Sequence, residues 1–224
     1  FLRTFVFNPT LAIGNHQQIV ELQCQREYEG KGAHPNYIAN GVINGFEEYQ
    51  YLMDPNKPDS LNDIKDAPQF AGVWTWSRGG GWHGPHLKNE FWCELDAYVM
   101  ANWAQNPERS EESVFYDFAR SKGIHEKDLQ KFREMSLLSA KGVLRGEYSR
   151  YAGGSPLTWS RDQYINGSSR TGRYLDRVIN EDLVEAVISE KKESVAIWNR
   201  IVDLAWQIET DDASLTEFLR TSAD

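Results

Sequence analysis

The carboxylate of Glu27 closes an alternating stretch, Gln17-Gln18-Ile19-Val20-Glu21-Leu22-Gln23-Cys24-Gln25-Arg26-Glu27, just ahead of the turn-forming Glu29-Gly30-Lys31-Gly32. Alternation of period two marks a strand. Val20, Leu22 and Cys24 fall on one face, and Glu21, Gln23, Gln25 and Glu27 on the other. A carboxylate at a strand end that opens on a pocket can serve as a general base or acid. It can also be a structural glutamate paired with Arg26 or Lys31. A second stretch, Phe70-Ala71-Gly72-Val73-Trp74-Thr75-Trp76, runs into the glycine-rich Ser77-Arg78-Gly79-Gly80-Gly81-Trp82-His83-Gly84-Pro85-His86. Gly72, Trp74, Trp76 and Arg78 share one parity, so one face presents two indoles and a guanidinium. Indole faces stack on the C–H faces of sugar rings, and a guanidinium forks onto a carboxylate such as that of a uronic acid. Trp74 and Trp76 also suit a buried core. The triple glycine lacks the Gly-Lys-Ser/Thr of a phosphate loop. His83 and His86 have no third ligand beside them. Neither a metal nor a cofactor is expected.

Both stretches need an architecture that brings strand ends to one edge. In a (β/α)8 TIM barrel the apolar face of each strand packs under outer helices, and polar residues at the C-terminal ends project into the mouth. Glu27 then sits at the mouth, and Arg78 opens on the same edge. This reading requires the strands at 17–27 and 70–76 to be parallel and adjacent.

The residues around Glu27 carry a family resemblance. Pro9-Thr10-Leu11-Ala12-Ile13-Gly14, then Glu21-Leu22-Gln23, Glu27-Tyr28, Gly30, His34, Tyr37 and Ala39 occur in order. The segment resembles the family 67 α-glucuronidases, which read approximately SPLFGA…ELQITQEYLGQ..H..YLA there. The run Leu95-Asp96-Ala97-Tyr98 through Asn106-Pro107 and Ser110-Glu111-Glu112 is also similar to the helix that follows the last barrel strand in that family. The resemblance implies that Glu27 is one of the carboxylates activating the hydrolytic water. Arg26 stands where the family triplet has glutamine. The expected substrate-binding residues are Arg26 and His34 from this motif, with Trp74, Trp76, Arg78 and Trp82. The implied substrates are glucuronoxylan oligosaccharides, cleaved with inversion. The family also implies a closing helical domain through which a homodimer forms.

Along the chain, Arg3–Phe7 suits a short strand, and a helix is expected from Ile38 to Met53 through Ile43, Phe46, Tyr49 and Met53. Asp54–Ser60 breaks it, and Leu61–Ala67 suits one more helical turn. The period then becomes 3.6. Lys88–Gln105 carries Trp92, Leu95, Val99 and Trp103 along one stripe, placing Glu94 and Asp96 on a helix outside the expected mouth. Ser110 caps the next helix, with Glu111 and Glu112 favouring its N-terminus, and Gly123 suits a left-handed exit. His125–Ser149 reads as a further helix in which Gly142 weakens continuity. Gly153-Gly154-Ser155-Pro156 reads as a linker; Asn180 is expected to cap a helix over Glu181–Gln207, and Asp212–Arg220 to form a last one. The expected fold class is α/β, with the C-terminal portion of a barrel over 1–105 and a mainly α-helical domain over 106–224.

The formal charge of −9 on 224 residues argues against nucleic acid or an anionic membrane as partner. No apolar run approaches the ~18–20 residues that span a bilayer. Two cysteines imply no disulfide framework. A complete barrel takes about 250 residues, and the chain opens on Phe1 in an apolar run. It is therefore expected to be the C-terminal portion of a larger enzyme, and the family resemblance implies that the second base carboxylate and the general acid lie upstream. Three function classes follow: a glycoside hydrolase acting on this or another uronoside, a non-catalytic carbohydrate-binding module, and a helical interaction protein.

Overall fold

The computed structural model describes residues 16–23, 34–46, 60–76, 91–146, 149, 151 and 176–224. Arg3–Phe7 and the 153–156 linker lie outside them. Strand β1 (Gln18–Gln23) pairs in parallel with β2 (Phe70–Trp76). The register runs Val20 to Val73, Glu21 to Trp74, Leu22 to Thr75 and Gln23 to Trp76, after one irregularity between Gln18 and Ile19. Both strands thus end on the same edge, at paired residues. A parallel pair cannot be closed by a hairpin, so a crossover must join the strands. Helix α1 (Ala39–Asn44) lies in that crossover.

The remaining described elements are helical: α2 (Phe91–Gln105), α3 (Glu111–Ser121), a 3-10 turn (Glu126–Asp128), α4 (Leu129–Gly146), α5 (Val184–Ala205) and α6 (Ala213–Ala223). Two paired strands do not make a barrel. The helical part of the expected architecture is what the structure bears out. Among the described residues no helix is long and apolar enough to cross a membrane.

Helix α2 forms because its apolar positions fall on one stripe, and Trp92, Leu95, Val99 and Trp103 are all fully buried. Each large side chain buried this way contributes about 1.5–3 kcal/mol. The rings pack directly: Phe132 stacks on Phe115 with centroids 5.2 Å apart, and Trp92 lies 6.1 Å from Phe132. The core takes in Tyr37, Val42 and Ile43 from the crossover as well as α2 to α6, so side chains from both sides of residue 105 share one interior. Ser110 caps α3 as expected, its Oγ accepting from the Ser113 amide at 3.2 Å. Gly123, at φ 73°, supplies the left-handed exit. The chain beyond it is stitched to the α5–α6 connection, the His125 amide donating to the Glu209 carbonyl and the Asp211 amide to the Gly123 carbonyl.

The structure corrects several expected boundaries. The first helix ends at Asn44 instead of reaching Met53, because Gly45 takes φ 96° and turns the chain back. The Phe46 ring then lies against Gly41, where a Cβ would meet it at once. The expected helix over His125–Ser149 begins at Leu129, after the 3-10 turn. Asn180 does not cap the long helix. It ends a short helical stretch over 176–180; the chain turns at Asp182 (φ 54°), and α5 starts after Leu183. Asp212 caps α6 through the Ser214 amide, and that helix runs three residues past Arg220.

Gly142 does not interrupt α4. It lies at a close contact between α4 and the antiparallel α5: a Cβ there would stand 3.1 Å from the Trp198 indole, and the Ser194 hydroxyl donates to the Gly142 carbonyl at 2.9 Å. Gly142→Val inserts three carbons into this contact. It should lower the free energy of unfolding by about 1–3 kcal/mol, as overpacking does. Urea denaturation of the variant checks this; unchanged stability would show that the α4–α5 contact relaxes freely.

Candidate functional site

The edge where β1 and β2 end is the place the sequence points to. Gln23 and Trp76 are register partners there. Trp74 and Trp76 lie in β2, paired with Glu21 and Gln23. Glu27, Arg26, Arg78 and Trp82 lie outside the described residues, as do His83 and His86. Among the described residues no three His, Cys, Asp or Glu side chains are grouped to hold a metal ion. His34 is half-buried, with its ring edge-on to the Trp198 indole of α5 at 6.2 Å. Its ring stacking is thus with a helix of the C-terminal part.

The segment following His34 is gripped by a buried polar network from three helices. Asp96, on α2, is completely buried, and its Oδ1 accepts the amides of Ile38 and Ala39 at 3.0 and 2.9 Å. These are amides that α1 leaves open at its N-terminus, where Ile38 makes no side-chain cap of its own. Asp96 is therefore the cap, supplied from another helix. The Tyr37 amide donates to Ser139 Oγ at 2.9 Å. Glu111, at the start of α3, is also buried and accepts from four donors. Arg133 on α4 reaches Oε1 and Oε2 at 2.7 and 2.5 Å, Asn40 Nδ2 reaches Oε2 at 2.8 Å, and the Tyr37 hydroxyl donates to Oε1. The Arg133 guanidinium also lies over the Phe115 ring, 4.6 Å from its centroid.

Burial pushes the Asp96 carboxyl well above the usual carboxylate range; the two amides oppose this, and the charge of Glu111 adds to it. Among the described residues Asp96 Oδ2 has no hydrogen-bond partner, and neither has the buried Asn36 Oδ1. Burial and the Glu111 charge likewise raise the Tyr37 hydroxyl. Arg133 goes up despite its burial, because the hydrogen bonds and charge of Glu111 outweigh desolvation. The network is neutralised from within. Its chemistry is that of a fixed post, not of a proton donor to a substrate.

Sequence reasoning missed this network, although a signal was present. Asp96 falls inside the Trp92–Leu95–Val99–Trp103 stripe, Glu111 is on the stripe of Val114, Phe115 and Phe118, and Arg133 is on that of Leu129, Phe132 and Ser136. A charge on an apolar stripe must find a partner inside. Glu94, the other carboxylate considered on α2, is a half-buried partner of Lys122 at 2.6 Å. Comparisons of this chain with protein-family models, with curated proteins and with solved structures find no match in any of the three.

Arg133→Met removes the guanidinium and leaves Glu111 as a buried, uncompensated carboxylate. The variant should lose about 3–5 kcal/mol of stability in urea titrations. A loss of less than about 1 kcal/mol would mean that Glu111 is satisfied by Asn40 and Tyr37 without the guanidinium. Asp96→Asn keeps the Oδ1 acceptor and removes the ionisable group. The folded Asp96 carboxyl titrates above its unfolded value of about 4, so the folded state holds an extra proton between those two pH values. Its stabilising effect is complete below about pH 4 and is lost as pH rises toward the folded pKa. Wild-type stability should therefore fall relative to Asp96→Asn as pH rises from about 4. Parallel stability curves would mean that Asp96 ionises equally readily folded and unfolded.

Proposed function

We propose that this chain is part of an inverting glycoside hydrolase of the α-glucuronidase type, with the β1–β2 pair belonging to a (β/α)8 barrel. In this reading it removes α-linked glucuronic acid, or its 4-O-methyl form, from xylan-derived oligosaccharides. The observation that supports it is the motif from Glu21 to Ala39, read together with the parallel pairing that brings the ends of β1 and β2 to one edge. Glu27 lies four residues beyond Gln23, and Arg78 two beyond Trp76. A carboxylate and a guanidinium leaving one edge are what a uronoside site requires: one group to activate water and the other to fork onto the sugar's carboxylate.

Inversion uses a base on one face of the sugar and a protonated acid on the other, far enough apart to admit water. Glu27 takes the base role; the acid is assigned to no residue of 1–224. Trp74, Trp76 and Trp82 supply stacking surfaces for sugar rings, and Arg26 and His34 supply polar contacts near Glu27.

In the full protein Glu27→Gln preserves shape and removes the proton acceptor. Turnover of a 4-O-methylglucuronic-acid-substituted xylooligosaccharide should fall about 10²–10⁴-fold, with a much smaller change in substrate dissociation constant. Near-normal turnover in the variant would make Glu27 structural. Binding without turnover in the wild-type protein would favour a non-catalytic carbohydrate-binding module.

A further inference from the structure

Between α1 and α4 the surface opens into a groove of about 870 Å³ whose lining includes no residue of β1 or β2. A second hollow of about 270 Å³ beside Gly45 and Phe46 shares Asn40 and Leu137 with it. The larger part falls within the roughly 300–1,000 Å³ of small-molecule sites. Its lining shows which chemistry it would accept. The cations around it are already paired by the protein: Arg133 with Glu111 at 2.5 Å, Lys131 with Asp128 at 2.9 Å, Arg109 with Asp117 at 2.6 Å, Lys65 with Glu108 at 3.1 Å and Arg200 with Glu134 at 2.9 Å, while Glu112 adds an exposed carboxylate to the lining. An incoming anion would have to break one of these pairs, and would meet the Glu112 carboxylate as well.

What the groove offers is amides. Asn40, Asn44, Asn62 and Gln130 line it, and all but the half-buried Asn40 are exposed. Asn62 Nδ2 donates to Asn44 Oδ1 at 2.9 Å, which orients the pair and leaves Asn44 Nδ2 and Asn62 Oδ1 with bonding capacity. Asn40 is oriented the same way, its Nδ2 held by Glu111. A side-chain amide donates and accepts at once, as a sugar hydroxyl does. Leu137, 38 % exposed, adds an apolar face suited to the C–H side of a sugar ring. The floor is rigid because Glu111 and Arg133 lock α1, α3 and α4 together.

We infer that this groove is a second carbohydrate subsite, binding a neutral oligosaccharide through Asn40, Asn44, Asn62 and Gln130. The choice of a xylan backbone as its ligand rests on the proposed function; the exclusion of an anionic ligand rests on the paired cations and the Glu112 carboxylate, and the choice of a hydroxyl-rich one on the amides. Such a subsite would hold an undecorated stretch of polymer while the strand edge acts on a uronic-acid branch.

The test uses xylohexaose, which carries no uronic acid. Titrated into the full protein, it should shift the side-chain amide resonances of Asn44, Asn62 and Gln130 in ¹⁵N–¹H spectra. Gln130→Ala and Asn44→Ala, both at exposed positions, should each weaken this binding about two- to tenfold, with their thermal unfolding unchanged. Glu27→Gln should leave it intact. Amide resonances that do not move at saturating xylohexaose, or dissociation constants unchanged in both alanine variants, would overturn the proposal. Turnover of the substituted oligosaccharide is measured separately: its absence beside intact xylohexaose binding sinks the hydrolase reading alone, and the converse result sinks the subsite alone.

Discussion

The carboxylate of Asp96 sits in an apolar interior because two backbone amides meet it there, and the arrangement of the crossover depends on that meeting. Burying an unpaired polar group costs several kcal/mol, so neither Asp96 nor the amides of Ile38 and Ala39 can be moved alone. The same holds for the residues on either side, Tyr37 and Asn40, which meet Glu111 together with Arg133. Buried pairs of this kind add little net stability but strongly penalise rearrangement. They act here as registration: α1, α2, α3 and α4 can be packed in one way only.

This registration bears on the strand edge. β1 and β2 are parallel, so the chain between them must travel away and return, and α1 is the described helix of that path. A six-residue helix is too short to be stable by itself. It persists because Val42 and Ile43 enter the common core and because Asp96 caps it from α2. The helical part of the molecule thereby holds the end of the segment that begins at β1. The helices are then more than a neighbouring domain: they are the support against which the crossover is set.

The α4–α5 contact supplies the other half of that support. Gly142, Gly146 and Ser194 are small, so the two helices approach closely and the Trp198 indole lies over the gap. Trp198 in turn meets His34. Arg145 with Glu193 and Arg200 with Glu134 flank the seam, exposed enough that each pair adds little. Elsewhere on α4 the polar network ties Arg133 to Glu111 and, through it, to Asn40 of α1, and the amide-lined groove opens beside these residues.

What the sequence by itself determined was whatever depends on local periodicity and local caps. The stripe of α2, the Ser110 cap, the left-handed exit at Gly123 and the two strands β1 and β2 are each dictated by a few neighbouring residues, and each is found in the structure. Residues 24–33 and 77–90, which carry Glu27, Arg78 and Trp82, were legible only through motif and parity. The tertiary structure decided the rest. A glycine can end a helix or admit a neighbour: Gly45 does the first and Gly142 the second, and only the position of Phe46 or Trp198 distinguishes them. A charge on an apolar stripe announces that a partner exists without saying which. Asp96 found backbone amides 57 and 58 residues away in the chain, and Glu111 found an arginine from the following helix. Such pairings are settled by which helices pack together, a property of the whole core that no local window of sequence contains.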